Sequence, residues 1–304
     1  MQSESLTDCF PESGSSRDNI TLQYGKPIMN LIDFQAVSGK ERRTGAHYDR
    51  LADKASLTRD TKFMNIGYWR DQPATLDEAA RALVRLVATR AQLGPADCVL
   101  DVGCGFADQD MLWIEEYGVR TIDAVNISEY QVRVAERRIA ARHLTDRARL
   151  WRVSATNMPF AGGTFDKVLC VEAAHHFDTR AAFFHEAYRV LRPGGVLVTA
   201  DILLRPGRRL GWLSHHVMHI PRANGYAEDG CVDRLREAGF TDVRLHSIRE
   251  DVFPPFARFL ARRFASRVAM GGAAFSLARR GLEALLTRRF SDLDFVIACA
   301  RREL

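Results

Sequence analysis

The chain has 304 residues, 46% of them hydrophobic, which allows one large α/β domain with additions or two small domains. The net charge of +5 is only mildly basic. No apolar run approaches twenty residues and the first twenty residues are polar, so we expect neither a transmembrane helix nor a signal peptide. Six cysteines without metal or disulfide spacing favour a reducing, cytoplasmic compartment.

Three regions follow one another along the chain. Residues 1–25 are polar and rich in serine, which predicts a flexible tail. Residues 26–92 are mostly helical, with helices expected at 44–60 and 75–92, and we predict that they form an N-terminal lid. Residues 93–304 form the main domain.

The main domain alternates strands with helices. Strands are predicted near 97–101, 121–126, 149–153, 166–171, 195–201, 240–248 and 293–300, and helices near 108–117, 128–142 and 180–191. This alternation predicts a parallel sheet covered by helices on both faces. Lid or insertion segments are expected at about 203–230 and 252–288.

Residues 98–110 are the most informative stretch of the sequence. An apolar run ends in Asp101, and Gly103 and Gly105 follow before a helical segment. The pattern predicts a buried parallel strand that turns sharply beneath a ligand, because glycine permits positive φ and lets a ligand approach the main chain. Asp108 stands where a dinucleotide-binding motif has its third glycine. An acid there repels a pyrophosphate but suits an amino group.

This series resembles the first motif of class I S-adenosylmethionine-dependent methyltransferases. Further elements over about residues 60–300 resemble the small-molecule branch of that family, which includes natural-product O- and C-methyltransferases and tocopherol and ubiquinone methyltransferases. The resemblance implies a Rossmann-like α/β fold with S-adenosylmethionine as cofactor. Its mostly parallel sheet has seven strands and a C-terminal antiparallel hairpin, and a helical N-terminal lid and a helical insertion are added to it.

The resemblance also implies which residues bind the cofactor. They follow the strand ends or lie in a loop over its methionine end: Tyr68, Trp69, Asp101, Gly103, Gly105, Asn126, Ile127, Gln131, Ala155, Thr156 and Glu172. Two positions depart from the family. Asn126 stands where many members have an acid that binds the ribose, and Ser154 stands where an acid usually binds adenine. The rings of Tyr68 and Trp69 suit a sulfonium, and the alternative is that they simply cover the core.

Two residues are candidates for catalysis. A hydroxyl acceptor benefits from a base near its proton, and the unperturbed pKa of histidine suits that role. His176 follows the fourth strand and Asp201 ends the fifth, so both belong to the carboxyl edge of the sheet and could meet over one substrate atom. Sugar and polyketide O-methyltransferases of the resembling branch carry a His and an Asp at these places. The alternative for Asp201 is a cap on the next turn.

The acceptor side is predicted to be mostly apolar, with a few oriented polar groups. The candidate substrate-binding residues are Phe63, His175, Phe177, Trp212 and Tyr226. His215 and His219 have helical chelate spacing, but no acidic motif accompanies them, so we expect no metal.

The arginine-rich segment 256–289 repeats phenylalanine and leucine at helical spacing. That pattern favours a packed helix pair over a base-stacking groove, so we expect no nucleic-acid partner. A contact of this segment with a membrane surface or a second copy of the chain stays open.

Three functions stay open at this point. The favoured one is O-methylation of a hydroxylated, hydrophobic secondary metabolite. The second is C-methylation of an isoprenoid, quinone or phenol, and the third is a non-catalytic cofactor-binding protein of the same fold.

Overall fold

The computed structural model describes residues 39–51, 57–211, 215, 218–265 and 272–304. The predicted tail at 1–25 and the candidate Trp212 lie outside the described residues. Within the described ranges, no helix is long and apolar enough to cross a bilayer.

Seven strands form one sheet. They are β1 (Cys98–Val102), β2 (Thr121–Asn126), β3 (Ala148–Arg152), β4 (Phe165–Val171), β5 (Leu191–Leu204), β6 (Thr241–Ser247) and β7 (Leu293–Arg301). Their spatial order is β3-β2-β1-β4-β5-β7-β6. β1 to β5 run parallel, whereas β7 lies antiparallel to both β5 and β6. The predicted parallel sheet with a C-terminal antiparallel hairpin is therefore confirmed.

Helices cover both faces of this sheet. They are α1 (Gly39–Leu51), α2 (Leu76–Ala91), α3 (Asp108–Tyr117), α4 (Glu129–Ala141), α5 (Arg180–Val190), α6 (Glu228–Glu237), α7 (Arg249–Ala265) and α8 (Gly272–Arg289). The predicted helix at 44–60 is observed as α1 over Gly39–Leu51, so it begins earlier than predicted, and the described residues 57–60 are not helical. Helix α6 was not predicted, because only Cys231 and Leu235 of its ten residues are buried and its apolar periodicity is weak.

The start of α2 shows why sequence locates helices well. The Thr75 hydroxyl accepts a hydrogen bond from the Glu78 amide at 3.2 Å, and the Glu78 carboxylate accepts one from the Thr75 amide at 3.3 Å. This reciprocal capping satisfies two amides that have no partner within the helix. The Ser128 hydroxyl likewise accepts from the Gln131 amide at the start of α4.

The core is split into two layers by the sheet. Side chains of β5 alternate between them, with Val196 and Val198 in one layer and Leu197 in the other. Trp113 from α3 fills the first layer and Phe183 from α5 the second, and both side chains are fully buried. Because both faces of the central strands are covered, the carboxyl edge of the sheet is where ligands can reach it.

Candidate active site

A cleft at the carboxyl edge of β1, β2 and β4 encloses about 880 Å³ of free space, part of it open to solvent. Nine of the predicted site residues line it: Gly103, Gly105, Asn126, Ile127, Gln131, Ala155, Glu172, His176 and Phe177. The lining also includes Thr44, Lys62, Met64, Asn65, Cys104, Phe106, Gln109, Val125, Val153, Val171 and Ala173. The N-terminal segment, the glycine turn and the loop after β4 therefore meet around one cavity.

The glycine turn after β1 forms the floor of this cleft. Gly103 has φ +88° and Gly105 has φ +57°, in the region that side chains other than glycine rarely adopt. A Cβ atom on Gly103 would lie 2.4 Å from the Cβ of Ala173, so the turn packs directly against the loop after β4. The turn thus presents main-chain atoms to whatever occupies the cleft.

Asp101 lies behind the glycine turn and does not line the cleft. Its side chain is fully buried, and Oδ2 accepts a hydrogen bond from Gln109 Nε2 at 3.0 Å. Burial raises the pKa of Asp101 to about 7. Burial and the neighbouring Asp101 raise the pKa of Asp110 well above its usual range. Asp101 therefore acts on the cleft through Gln109, which is a lining residue that the sequence did not reveal.

Asp108 has a different partner from the one expected. Its carboxylate pairs with the Arg138 guanidinium, with Nη2 2.7 Å from Oδ1, and also accepts the Lys62 amide at 3.2 Å. It is not among the cleft-lining residues. The interpretation of Asp108 as a partner for a cofactor amino group is therefore wrong. Asp108 joins the N-terminal segment to α3 and α4 instead.

The amide of Asn126 explains why an acid is absent at this position. Its Nδ2 donates to the Gly105 carbonyl at 3.2 Å and to Gln131 Oε1 at 2.9 Å, while its Oδ1 accepts from the Ser128 amide at 3.1 Å. A carboxylate could not donate to the Gly105 carbonyl. Asn126 therefore couples the end of β2 to the glycine turn, besides lining the cleft.

Glu172 holds the N-terminal segment over the cleft. It follows β4 with φ +53°, and its Oε2 accepts the Ile66 amide at 2.8 Å. Burial of its carboxyl raises the pKa of Glu172 to about 8, even though the Ile66 amide opposes this shift. A residue 106 positions away in sequence is thus fixed against the site.

The predicted aromatic residues of the N-terminal segment face inward. Tyr68 and Trp69 are buried. The Trp69 indole N–H donates to the Ile66 carbonyl at 2.8 Å, and the Trp69 ring packs on Phe259 with ring centroids 5.3 Å apart. Phe63 is buried too. None of these rings lines the cleft, where Met64 and Asn65 stand instead. The alternative interpretation, that Tyr68 and Trp69 cover the core, agrees with their placement.

The two adjacent histidines have different surroundings. His175 is buried, and its Nδ1 lies 2.5 Å from Asp201 Oδ1. His176 lines the cleft, with Nδ1 3.4 Å from the His219 carbonyl. Their rings are 3.8 Å apart. Asp201 therefore contacts His175 and does not line the cleft, whereas we expected it to meet His176 over one substrate atom. Successive side chains of the 3₁₀ turn Ala174–His176 point in different directions.

Asp201 is held as a carboxylate inside the protein. Burial alone would favour its neutral form, but the Arg180 guanidinium, with Nε 3.2 Å from Oδ2, and His175 together hold the pKa of Asp201 below its usual range. Tyr226 packs on Arg180, with the guanidinium 5.0 Å from its ring centroid, and does not line the cleft. This buried group supports the histidines from behind.

Asn224 is a supporting residue that the sequence did not single out. It is buried, and its Nδ2 donates to the carbonyls of His175 at 3.2 Å and Phe177 at 2.8 Å. Its Oδ1 accepts the Arg180 amide at 2.9 Å. Two bonds to the histidine turn and one to the first residue of α5 fix these elements to the loop before α6. No local pattern signals this role, because the partners are 44 to 49 positions away.

The remaining predicted residues add little to the lining. Thr156 donates its amide to Ser154 Oγ at 3.1 Å and does not line the cleft, whereas Ala155 does. His215 Nδ1 lies 2.7 Å from the Ile220 carbonyl. Over the described part of the chain, no three His, Cys, Asp or Glu side chains cluster as they would around a metal ion.

Sequence comparison identifies relatives of this chain. Residues 100–199 match a family described as a methyltransferase domain. Erythromycin 3''-O-methyltransferase from Saccharopolyspora erythraea is 34% identical, over 93% of this chain and 99% of that protein. The 27-O-demethylrifamycin SV methyltransferase of Amycolatopsis mediterranei is 34% identical, over 68% of this chain and 69% of that protein.

Solved structures share the fold. The [4+2]-cyclase SpnF has a TM-score of 0.69 at 22% identity, covering 88% of this chain and 98% of its own. Geranyl diphosphate C-methyltransferase from Streptomyces coelicolor has a TM-score of 0.67 at 16% identity, and the match covers 87% of this chain and 99% of that chain. Together with the extended sequence similarity, the glycine turn and its cleft identify the chain: it belongs to the class I S-adenosylmethionine-dependent methyltransferases that act on small molecules, and S-adenosylmethionine is its cofactor.

Proposed function

We propose that this enzyme methylates a hydroxyl group of a hydrophobic secondary metabolite, with His176 as the base. The observation that carries this proposal is the position of His176, which lines the same cleft as the glycine turn and Phe177. The extended similarity to an enzyme named for O-methylation of erythromycin supports the same reaction. The arginine-rich segment 256–289 supplies none of the described lining residues.

The residues of the cleft fit S-adenosylmethionine. The turn of Gly103 and Gly105 leaves main-chain atoms accessible, and a side chain on Gly103 would collide with Ala173. We propose that these glycines hold the methionine part, that Asn126, Ile127 and Gln131 lie along the ribose, and that Ala155 lies beside the adenine. Bound there, the cofactor supplies an electrophilic methyl group on a sulfonium.

The proposed base has a defined tautomer. When Nδ1–H of His176 donates to the His219 carbonyl, Nε2 carries the lone pair that accepts a proton. Nε2 would accept the hydroxyl proton of the acceptor as the acceptor oxygen takes the methyl group, which the bound cofactor would supply with S-adenosylhomocysteine as the leaving group. His176 is then an imidazolium, and it returns its proton to solvent after product release.

Asp201 takes a positioning role in this proposal. Its carboxylate accepts the His175 Nδ1–H, and the His175 ring lies against the His176 ring. A negative charge behind the two rings favours the imidazolium form that His176 reaches during the reaction. Asp201 and His175 therefore act on the acceptor through His176, not by touching it.

The test is His176→Ala. We expect turnover to fall about 10²–10⁴-fold, as for loss of a general base, with S-adenosylhomocysteine affinity nearly unchanged in calorimetry. The assay follows tritiated methyl transfer to a panel of hydroxylated macrolides. His185→Ala is the matched control, because His185 is an exposed histidine of α5 that does not line the cleft.

Each result separates the open alternatives. Turnover of His176→Ala within a few-fold of the parent would reject the base and favour C-methylation, whose first step on an alkene carbon needs none. Intact S-adenosylhomocysteine binding without methyl transfer to macrolides, quinones or isoprenoids would favour a non-catalytic protein.

We also propose that the protein works in the cytoplasm. Each described cysteine is a buried free thiol, namely Cys98, Cys104, Cys170, Cys231 and Cys299. Unpaired thiols of this kind are typical of proteins in a reducing compartment.

A further inference from the structure

The positive charge of the chain is concentrated in one segment. Residues 249–289 contain nine arginines and three acids, a net charge of +6, whereas the whole chain carries +5. The rest of the protein is therefore close to neutral. This segment forms the hairpin of α7 and α8, which packs beside the N-terminal loop on the flank of the sheet.

Helix α8 is apolar on two sides. Leu286 faces inward and packs against the cluster around Trp69 and Phe256. Leu277 is 75% exposed and Leu285 is 65% exposed, which makes them the two most exposed large hydrophobic side chains among the described residues of the hairpin. Leu285 follows Leu277 by eight residues, which is little more than two full turns of an α-helix, so both leucines lie on one outward side.

The outward side of α8 carries arginine and no acid. Arg280 and Arg288 are exposed there: Arg280 lies between the two leucines along the helix, and Arg288 follows Leu285. The acid of this helix, Glu283, is half-buried and lies on another side. Exposed leucines flanked by arginines without acids are the pattern of a helix that lies in the headgroup layer of an anionic bilayer.

The neighbouring groove extends the same charge. Residues of α7 and α8, the segment 69–77 and residues 57 and 59 line it, and they include Arg70, Arg258, Arg262 and Arg279. Asp77 is the acid within this described lining, and its carboxylate is already bonded to the amides of residues 59–61. Phe264, near the end of α7, is 43% exposed.

We propose that the α7–α8 hairpin docks on an anionic lipid surface. Leu277, Leu285 and Phe264 enter the headgroup layer while the surrounding arginines contact lipid phosphates. A symmetric contact between two copies would bring two surfaces of the same positive charge together, which disfavours a second copy as the occupant. This proposal goes beyond the methyl-transfer reaction and does not depend on the identity of the acceptor.

The test is co-sedimentation of the full chain with lipid vesicles. We expect binding to phosphatidylcholine vesicles that contain about 30% phosphatidylglycerol, little binding to phosphatidylcholine alone, and loss of binding at high salt. The variants L277S/L285S and R280E/R288E should each bind at least about tenfold more weakly. Arg236→Glu is the control, because Arg236 is exposed on α6, outside the hairpin.

Two measurements keep the result interpretable. Melting temperature and S-adenosylhomocysteine affinity should be unchanged in both double variants, since neither leucine nor either arginine lines the cleft. Absence of binding to the anionic vesicles would overturn the proposal, as would equal weakening by the Arg236 control. A concentration-dependent dimer that L277S/L285S abolishes would also overturn it.

Discussion

The packing of Gly103 against Ala173 permits a quantitative test of the glycine turn. In Gly103→Ala the new Cβ would lie 2.4 Å from the Ala173 Cβ, more than 1 Å inside the roughly 3.5–4.0 Å optimum for carbon atoms. The shifts that such overpacking forces cost about 1–3 kcal/mol of stability, and a positive φ in an alanine costs about 1–2 kcal/mol more. We therefore expect a loss of about 2–5 kcal/mol in the free energy of unfolding.

The contact has a second consequence, for ligand binding. The turn must shift away from Ala173 and into the cleft, so S-adenosylhomocysteine affinity should fall at least about tenfold, or about 1.4 kcal/mol. Urea denaturation measures the stability, and calorimetry measures the affinity.

Two further variants separate the collision from the backbone strain. Gly163 also has a positive φ, +68°, but a Cβ there would meet nothing within 4 Å. Gly163→Ala should therefore cost only the strain, about 1–2 kcal/mol, and leave ligand binding intact. Ala173→Gly should recover about 1–3 kcal/mol when it is added to Gly103→Ala. The reasoning is refuted if Gly103→Ala costs no more than Gly163→Ala, or if the double variant recovers nothing.

Three other changes probe polar groups in and around the site. Because the pKa of Asp110 is raised, the folded protein loses stability as pH rises above the usual carboxyl range and the buried group ionises. The free energy of unfolding of Asp110→Asn, relative to that of the parent, should therefore be higher at pH about 8 than at about 5. Urea denaturation measures this difference, and equal values at the two pH values would contradict the prediction. The pKa of Asp77 is lowered, since four hydrogen bonds outweigh the burial that would raise it. Asp77→Ala should cost about 1–3 kcal/mol at neutral pH, and parent and variant should converge as acid protonates the carboxyl. Asn126→Asp should weaken S-adenosylhomocysteine binding in calorimetry, because a carboxylate faces the Gly105 carbonyl that the amide now bonds; tighter binding would instead assign Asn126 mainly to the ribose.

Local features of the sequence determined most of the fold. Strand–helix alternation, the Thr75 cap and the Gly103–Gly105 turn each depend on residues within a few positions of one another, and the structure contains all three. Helix α6 was missed because it buries too few side chains to show an apolar period.

The assignment of side chains to the site was decided by tertiary structure. Sequence placed His176 and Asp201 at the same sheet edge, but Asp201 bonds to His175, 26 residues away. Asp108 likewise bonds to Arg138, 30 residues away, and the ring of Trp69 turns into the core. Neighbouring residues in a turn point their side chains in different directions, and the choice between them depends on partners that fold from distant parts of the chain.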